Sequence, residues 1–378
     1  MMNTLLTRKL NIRYPILQAP MAGGPTTADL VASVSNAGGL GSLGAGYLPP
    51  EQIRTAIREI KQRTDRPFGV NLFVPESSIP PEDAIIDAMN HHLNTFRAEL
   101  GIAPNPSIPK AAESFEEQVQ VLLEEHVAVF SFTFGIPSRE ILQSMKQQGI
   151  FVIGTATTVH EAGALETAGV DAIVAQGSEA GGHRGTFLTS TADARVGTMA
   201  LVPQMVDHVT VPVIASGGIM DGRGLVASLA LGASAVQMGT AFLASVESGA
   251  HAVHKQKILS SREDSTEVTD AYSGKAARGI LTDFMKAMRD YPGAVPAYPL
   301  QHALTRDIRQ AAAKASNPAY MSLWAGQGLR LAREHAAADI VEQSVEQAML
   351  LMKRLGHFGS EAGSGDSLCN GHRSIDAE

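Results

Sequence analysis

The chain has 378 residues, 44% of them hydrophobic, and a formal net charge of −8 with acids and bases interspersed. It can bury one large core, but it lacks the basic stripe that nucleic acid or an anionic membrane surface demands. Its one cysteine, Cys369, stands in a polar glycine- and serine-rich stretch, which excludes a disulfide framework, a cysteine-based metal or iron–sulfur centre and a cysteine nucleophile within the core.

Residues Met1 to Tyr14 are polar and charged, and no apolar run reaches transmembrane length, so a cytoplasmic protein with a small-molecule ligand is expected. From there, short runs rich in Val, Ile and Leu alternate with amphipathic segments. Strands are predicted at 15–19, 40–43, 68–73, 127–132, 151–154, 171–174, 212–215 and 235–238. Helices are predicted at 27–37, 50–64, 114–126, 138–148, 158–168 and 222–231, several opening on Thr, Ser or Asp and stopping close to Gly. Continuous apolar strands separated by helices predict an α/β protein, a (β/α)8 TIM barrel whose sheet is covered on both faces.

Two stretches break the alternation. Residues 75–109, after the third strand, are rich in proline and too long for an ordinary βα loop. A mostly helical excursion, 244–318, follows the eighth strand, and a closing helix is expected near 341–355. The expected division is a barrel of 1–75, 106–243 and 319–356, a smaller cap of 76–105 and 244–318 placed to hold substrate, and a disordered tail, 357–378.

The chemistry concentrates in loops that leave strand ends. After the sixth strand, Ala175-Gln-Gly-Ser-Glu-Ala-Gly-Gly-His-Arg-Gly185 sets one imidazole, His183, in a glycine-rich loop that a flat ligand can approach closely. His183 is the catalytic candidate; the alternative is a surface histidine on a mobile loop. After the seventh and eighth strands, Gly217-Gly218 and Gly239-Thr240 offer backbone amides to a phosphate. Ala19 and Met21, after the first strand, present backbone to a ring edge, while Asn71 and Gln176 offer amides to its heteroatoms or else satisfy the loops themselves. Flavin mononucleotide matches this layout. His91-His92 has no third ligand at a useful spacing, and no metal site is expected.

Gln18-Ala-Pro-Met-Ala-Gly-Gly24, Gln176-Gly-Ser-Glu-Ala-Gly-Gly-His183, Ala215-Ser-Gly-Gly218 and Gln237-Met-Gly-Thr240 together resemble the nitronate monooxygenase family, formerly the 2-nitropropane dioxygenases. The likeness is to its class I members and runs from about Leu10 to Leu355, including Leu323-Trp-Ala-Gly-Gln-Gly-Leu329. It implies an FMN-dependent barrel that oxidises alkyl nitronates with O2, through a flavin semiquinone and without a nicotinamide cofactor, to a carbonyl compound and nitrite. It also implies FMN contacts at Asn71, Gln176, Gly181, Gly218, Gln237, Met238, Gly239 and Thr240, an active-site role for His183, and a monomer or homodimer. Class I members carry Tyr, Tyr and Lys at four-residue spacing in the cap; here that line reads Tyr298, His302, Arg306, which are expected on one helix face with Tyr298 at its start. The competing readings are an NAD(P)H-dependent flavin reductase of quinones or enoyl thioesters, and a flavin-binding protein without catalysis. A barrel using IMP-dehydrogenase-like chemistry is set aside because Cys369 is misplaced for it.

Overall fold

The computed structural model describes residues 3–76, 83–104 and 110–362. Eight parallel strands form the barrel: β1 (Ile16–Gln18), β2 (Gly41–Gly44), β3 (Phe68–Phe73), β4 (Val129–Thr133), β5 (Phe151–Ala156), β6 (Ala172–Gln176), then, past the two-residue β7 (Gly182–His183), β8 (Val213–Ser216) and β9 (Ala235–Met238). They run in the order β1-β9-β8-β6-β5-β4-β3-β2. The ring closes between its ends, where Gln18 N–H donates to Leu40 O and Leu40 N–H to Ile16 O, each at 2.9 Å.

The six predicted helices are present as α2 (Ala28–Asn36), α3 (Pro50–Lys61), α5 (Phe115–Glu124), α6 (Arg139–Gln147), α7 (Val159–Ala168) and α9 (Gly222–Ala230), with α4 (Asp83–Glu99) inside the first insertion. Thr27, Ser114, Ser138 and Thr158 cap α2, α5, α6 and α7 by accepting a backbone N–H on their hydroxyls, as their positions in the sequence suggest. Besides α4, two helices have no counterpart in the sequence reading. Helix α1 (Leu5–Leu10) is held by a Thr4/Thr7 capping box in a segment that reads as merely polar, and α8 (Thr198–His208) contains Pro203, which reads as a breaker.

After β9 the chain forms α10 (Thr240–Leu243), α11 (Ala252–Ser260), β10 (Thr266–Thr269), β11 (Ala277–Ile280), α12 (Asp283–Arg289), α13 (Leu300–Leu304) and α14 (Arg306–Lys314) before α15 (Ala337–Ala362) returns to the barrel. The excursion is helical for the most part, but β10, β11 and β7 also form a three-stranded antiparallel sheet that periodicity did not reveal. The two insertions pack on each other. Ile86, Met89, Leu93 and Phe96 of α4 share an apolar cluster with Tyr272, Phe284, Leu304 and Ile308. Within it the fully buried Arg97 donates to Asp307 Oδ2 at 2.8 Å, to Asn94 Oδ1 at 2.9 Å and to Leu304 O at 2.9 Å.

The tail expectation needs correction. Helix α15 continues through residues 357–362, because adding a residue to an existing helix gains a hydrogen bond without a new nucleus; residues 363–378 lie outside the described ones, as do the proline-bearing segments 77–82 and 105–109. Among the described residues no helix is long and apolar enough to cross a membrane.

Candidate active site

The loops at the carboxyl ends of the barrel strands and the inner surface of the second insertion enclose a cavity of about 730 Å³, the size range of small-molecule and cofactor sites. Of the residues singled out by sequence, Ala19, Met21, Asn71, Gln176, Gly181, His183, Gly217, Gly218, Gln237, Gly239, Thr240, His302 and Arg306 all line it. Met238 does not: its strand alternates sides, so its side chain is fully buried in the barrel core. Tyr298 is also outside the lining, although its ring stands edge-on to His183, 6.0 Å between centroids.

Glycine is required at the β8 end. Gly217 and Gly218 have φ of 119° and 71°, a region that side chains disfavour, and a Cβ on Gly217 would sit 2.8 Å from Thr198 Oγ1. Glu179, the acid of the His183 loop, is spent on structure: its oxygens accept the Thr198 N–H at 2.9 Å and cap α8. Gly181 lets two loops touch, since a Cβ there would fall 2.5 Å from Gly326 N. Thr240 Oγ1 accepts that same Gly326 N–H at 2.9 Å, tying the cradle to the chain that follows the second insertion.

The amides differ in their uses. Gln176 grips its own loop, donating from Nε2 to His183 O at 3.1 Å and accepting Gly185 N–H on Oε1 at 2.8 Å. Asn71 donates to Ser131 Oγ at 3.0 Å.

His183 is neither a surface residue nor on a free loop. It pairs with Ala277 in the small sheet, and Phe134, Trp324 and Tyr298 surround its ring at centroid distances of 5.8, 5.6 and 6.0 Å. Its Nε2 lies 2.8 Å from Ser273 Oγ. Burial, with the nearby cations Lys275 and Arg309 adding to it, pushes the imidazole down from 6.5 to about 3, so the ring is neutral at ordinary pH. Phe134 holds a φ of 79°, uncommon for a bulky residue, with Lys275 Nζ 4.7 Å above its ring.

Facing these groups is a second polar cluster. His302 stacks on Tyr47 at 4.3 Å, and burial first, then Arg309, holds it neutral with a value of about 2. Arg309 donates from Nη2 to His302 O at 2.8 Å and from Nε to Thr305 Oγ1 at 3.3 Å; no carboxylate among the described residues forms an ion pair with it. Arg306 instead turns a guanidinium nitrogen to Lys110 O at 3.1 Å near the rim. The expected single helix face is broken: Tyr298 precedes α13, His302 lies in α13, and Thr305 separates it from Arg306 at the start of α14. Tyr47, Phe134, Ser273, Lys275, Arg309 and Trp324 were not foreseen as site residues. Two of them had a sequence signal: Arg309 by its place seven residues after His302, about two helical turns, and Trp324 by its place in the Leu323–Leu329 motif.

The chain matches the family model described as nitronate monooxygenase over residues 3–347. A probable nitronate monooxygenase of Staphylococcus haemolyticus is 48% identical over 352 residues, which is 93% of this chain and 98% of that protein. Among solved structures, nitroalkane oxidase from Streptomyces ansochromogenes is similar with a TM-score of 0.86 and 40% identity, covering 93% of this chain and 99% of that one. FabK from Thermotoga maritima is similar with a TM-score of 0.75 and 33% identity, covering 94% and 99%.

Proposed function

The chain belongs to the nitronate monooxygenase family, a family of flavin-dependent oxidoreductases, and from that premise we propose that it uses FMN and O2 to oxidise alkyl nitronates, and neutral nitroalkanes once deprotonated, to a carbonyl compound and nitrite. The observation that carries this reading is one cavity with a neutral imidazole, His183, on one side and a guanidinium without a carboxylate partner, Arg309, on the other. That pairing suits a substrate that is an anion or becomes one when it loses a proton.

The lining fits FMN. Gly217, Gly218, Gly239 and Thr240 would hold the phosphate through backbone amides, and Ala19, Met21, Asn71, Gln176, Gly181 and Gln237 would border the ring. Bound flavin supplies the electron acceptor that links nitronate oxidation to O2. His183 takes the α-proton from a neutral nitroalkane. Arg309, helped by His302 and Tyr47, holds the nitro or nitronate oxygens, for which a planar charged donor is well shaped. The two insertions act as one cap domain that keeps bulk water from the bound pair.

The test is anaerobic stopped-flow absorbance of the FMN-loaded protein with a small alkyl nitronate and, separately, with NADPH or NADH. Rapid flavin change with the nitronate alone supports the proposal. Full bleaching by the nicotinamide instead supports a reductase; response to neither means a flavin-binding protein. In steady state, His183→Asn should abolish turnover of the neutral nitroalkane while nitronate oxidation survives; equal retention of both would remove His183 from the reaction.

A further inference from the structure

The turn between β10 and β11 is locked by its own backbone. Ser273 N–H and Gly274 N–H both donate to Asp270 O, at 3.1 and 2.7 Å, and Gly274, at φ 75°, lies so close to its neighbours that a Cβ would come within 2.1 Å of Pro296 O. The turn therefore presents the fully buried Ser273 hydroxyl at one place, 2.8 Å from His183 Nε2.

A serine hydroxyl has one hydrogen to give and two lone pairs. Ser273 Oγ lies 3.0 Å from Lys275 O, which can only accept, and 3.3 Å from Lys275 N–H, which can only donate. All three contacts are satisfied together when the hydroxyl donates to Lys275 O and accepts from Lys275 N–H and from His183 Nε2–H. If it donated to His183 instead, Lys275 O would lose it as a donor, a cost in a half-buried turn. The ring's other nitrogen, Nδ1, has no hydrogen-bond partner among the described residues, and His183 lines the cavity.

We infer that Ser273 is a positioning residue that fixes His183 in its Nε2–H tautomer, so that Nδ1 is the atom that accepts the substrate's proton. The inference rests on the proposed nitroalkane chemistry for its use, but not for the tautomer itself. In that use, the α C–H bond breaks, its proton goes to Nδ1, and its electron pair forms the C=N bond of the nitronate, whose oxygens take the charge beside Arg309. The imidazolium so formed keeps Nε2–H on Ser273. The groups around it are the cations Lys275, paired with Glu76, and Arg309, with His302 and the phenols Tyr47 and Tyr298; no carboxylate among the described residues stabilises it, so Ser273 is its one hydrogen-bond anchor.

The tautomer is read directly by two-bond ¹⁵N–¹H correlation spectra of the ¹⁵N-histidine-labelled, FMN-loaded protein, with the His183 signals identified by their loss in His183→Asn. Protonated Nε2 and bare Nδ1 are expected in the unmodified protein, and a wild-type signal with protonated Nδ1 overturns the inference without any Ser273 variant. Ser273→Ala should mix or reverse the tautomers and lower kcat/KM for a neutral nitroalkane about 10- to 100-fold, more than for the corresponding nitronate, with Ser273→Thr restoring both the signal and the ratio. An unchanged tautomer in Ser273→Ala also overturns it. Should the nitronate chemistry itself be wrong, the spectra still decide the tautomer, and the two failures are told apart.

Discussion

At the scale of single residues, the sequence located at the cavity wall those residues that follow directly from a strand. Asn71, Gln176, Gly217 and Gly239 could be placed because the carboxyl end of a barrel strand has a known position in the fold. Residues contributed by the second insertion had no such anchor: Arg306 was read as a substrate-contact residue, and both it and the unforeseen Arg309 line the cavity, each donating to a backbone carbonyl, Lys110 O at 3.1 Å and His302 O at 2.8 Å. A hydrogen bond from a charged donor is worth about 1.5–3 kcal/mol, so Arg309→Met should raise KM for a nitronate roughly 10- to 100-fold. Arg306→Met should change it by no more than about threefold by comparison, as expected of a partly exposed charge. Steady-state kinetics on the two variants decide the matter, and the reverse ranking would return the anion to Arg306.

At the scale of elements, the barrel strands and most of its helices were legible because each buries a continuous face and most carry a cap at the expected place. The small sheet was not, since β7 has two residues and its one partner, β11, comes from far along the chain; pairing of that kind leaves no periodicity to count. The first insertion likewise showed its prolines but not the role of α4, which depends on Arg97 reaching Asp307 across the interface. Arg97→Met should destabilise the protein by roughly 2–3 kcal/mol, because Asn90, Asn94 and Leu304 O lose a buried donor while Asp307 loses its counter-charge but keeps some access to water. Urea denaturation measures the loss, and proteolysis of the native variant should begin near α4 if the insertion loosens first.

At the scale of the whole molecule, two buried imidazoles and the half-buried His183 make stability depend on pH. Burial lowers His183 to about 3, His254 to about 4 and His302 to about 2, whereas each returns to about 6.5 when unfolded. Below about pH 6.5 the unfolded chain binds protons that the folded one refuses, so stability falls as pH drops from there toward 4, by at most about 1.4 kcal/mol per pH unit for each group. Urea midpoints at pH 7, 6, 5 and 4 should decline in step; a midpoint that holds steady to pH 4 would mean these rings are solvated or protonated in the native state. One further property concerns exchange of parts between relatives. His183 belongs to the barrel by its place in the chain but to the cap by its pairing with Ala277 and its contact with Ser273. A chimera that joined this barrel to another member's insertions would take the setting of His183 from the donor of the insertions, so the two parts of the molecule are not independent modules, and transplanting the insertions means transplanting the turn that holds the histidine as well.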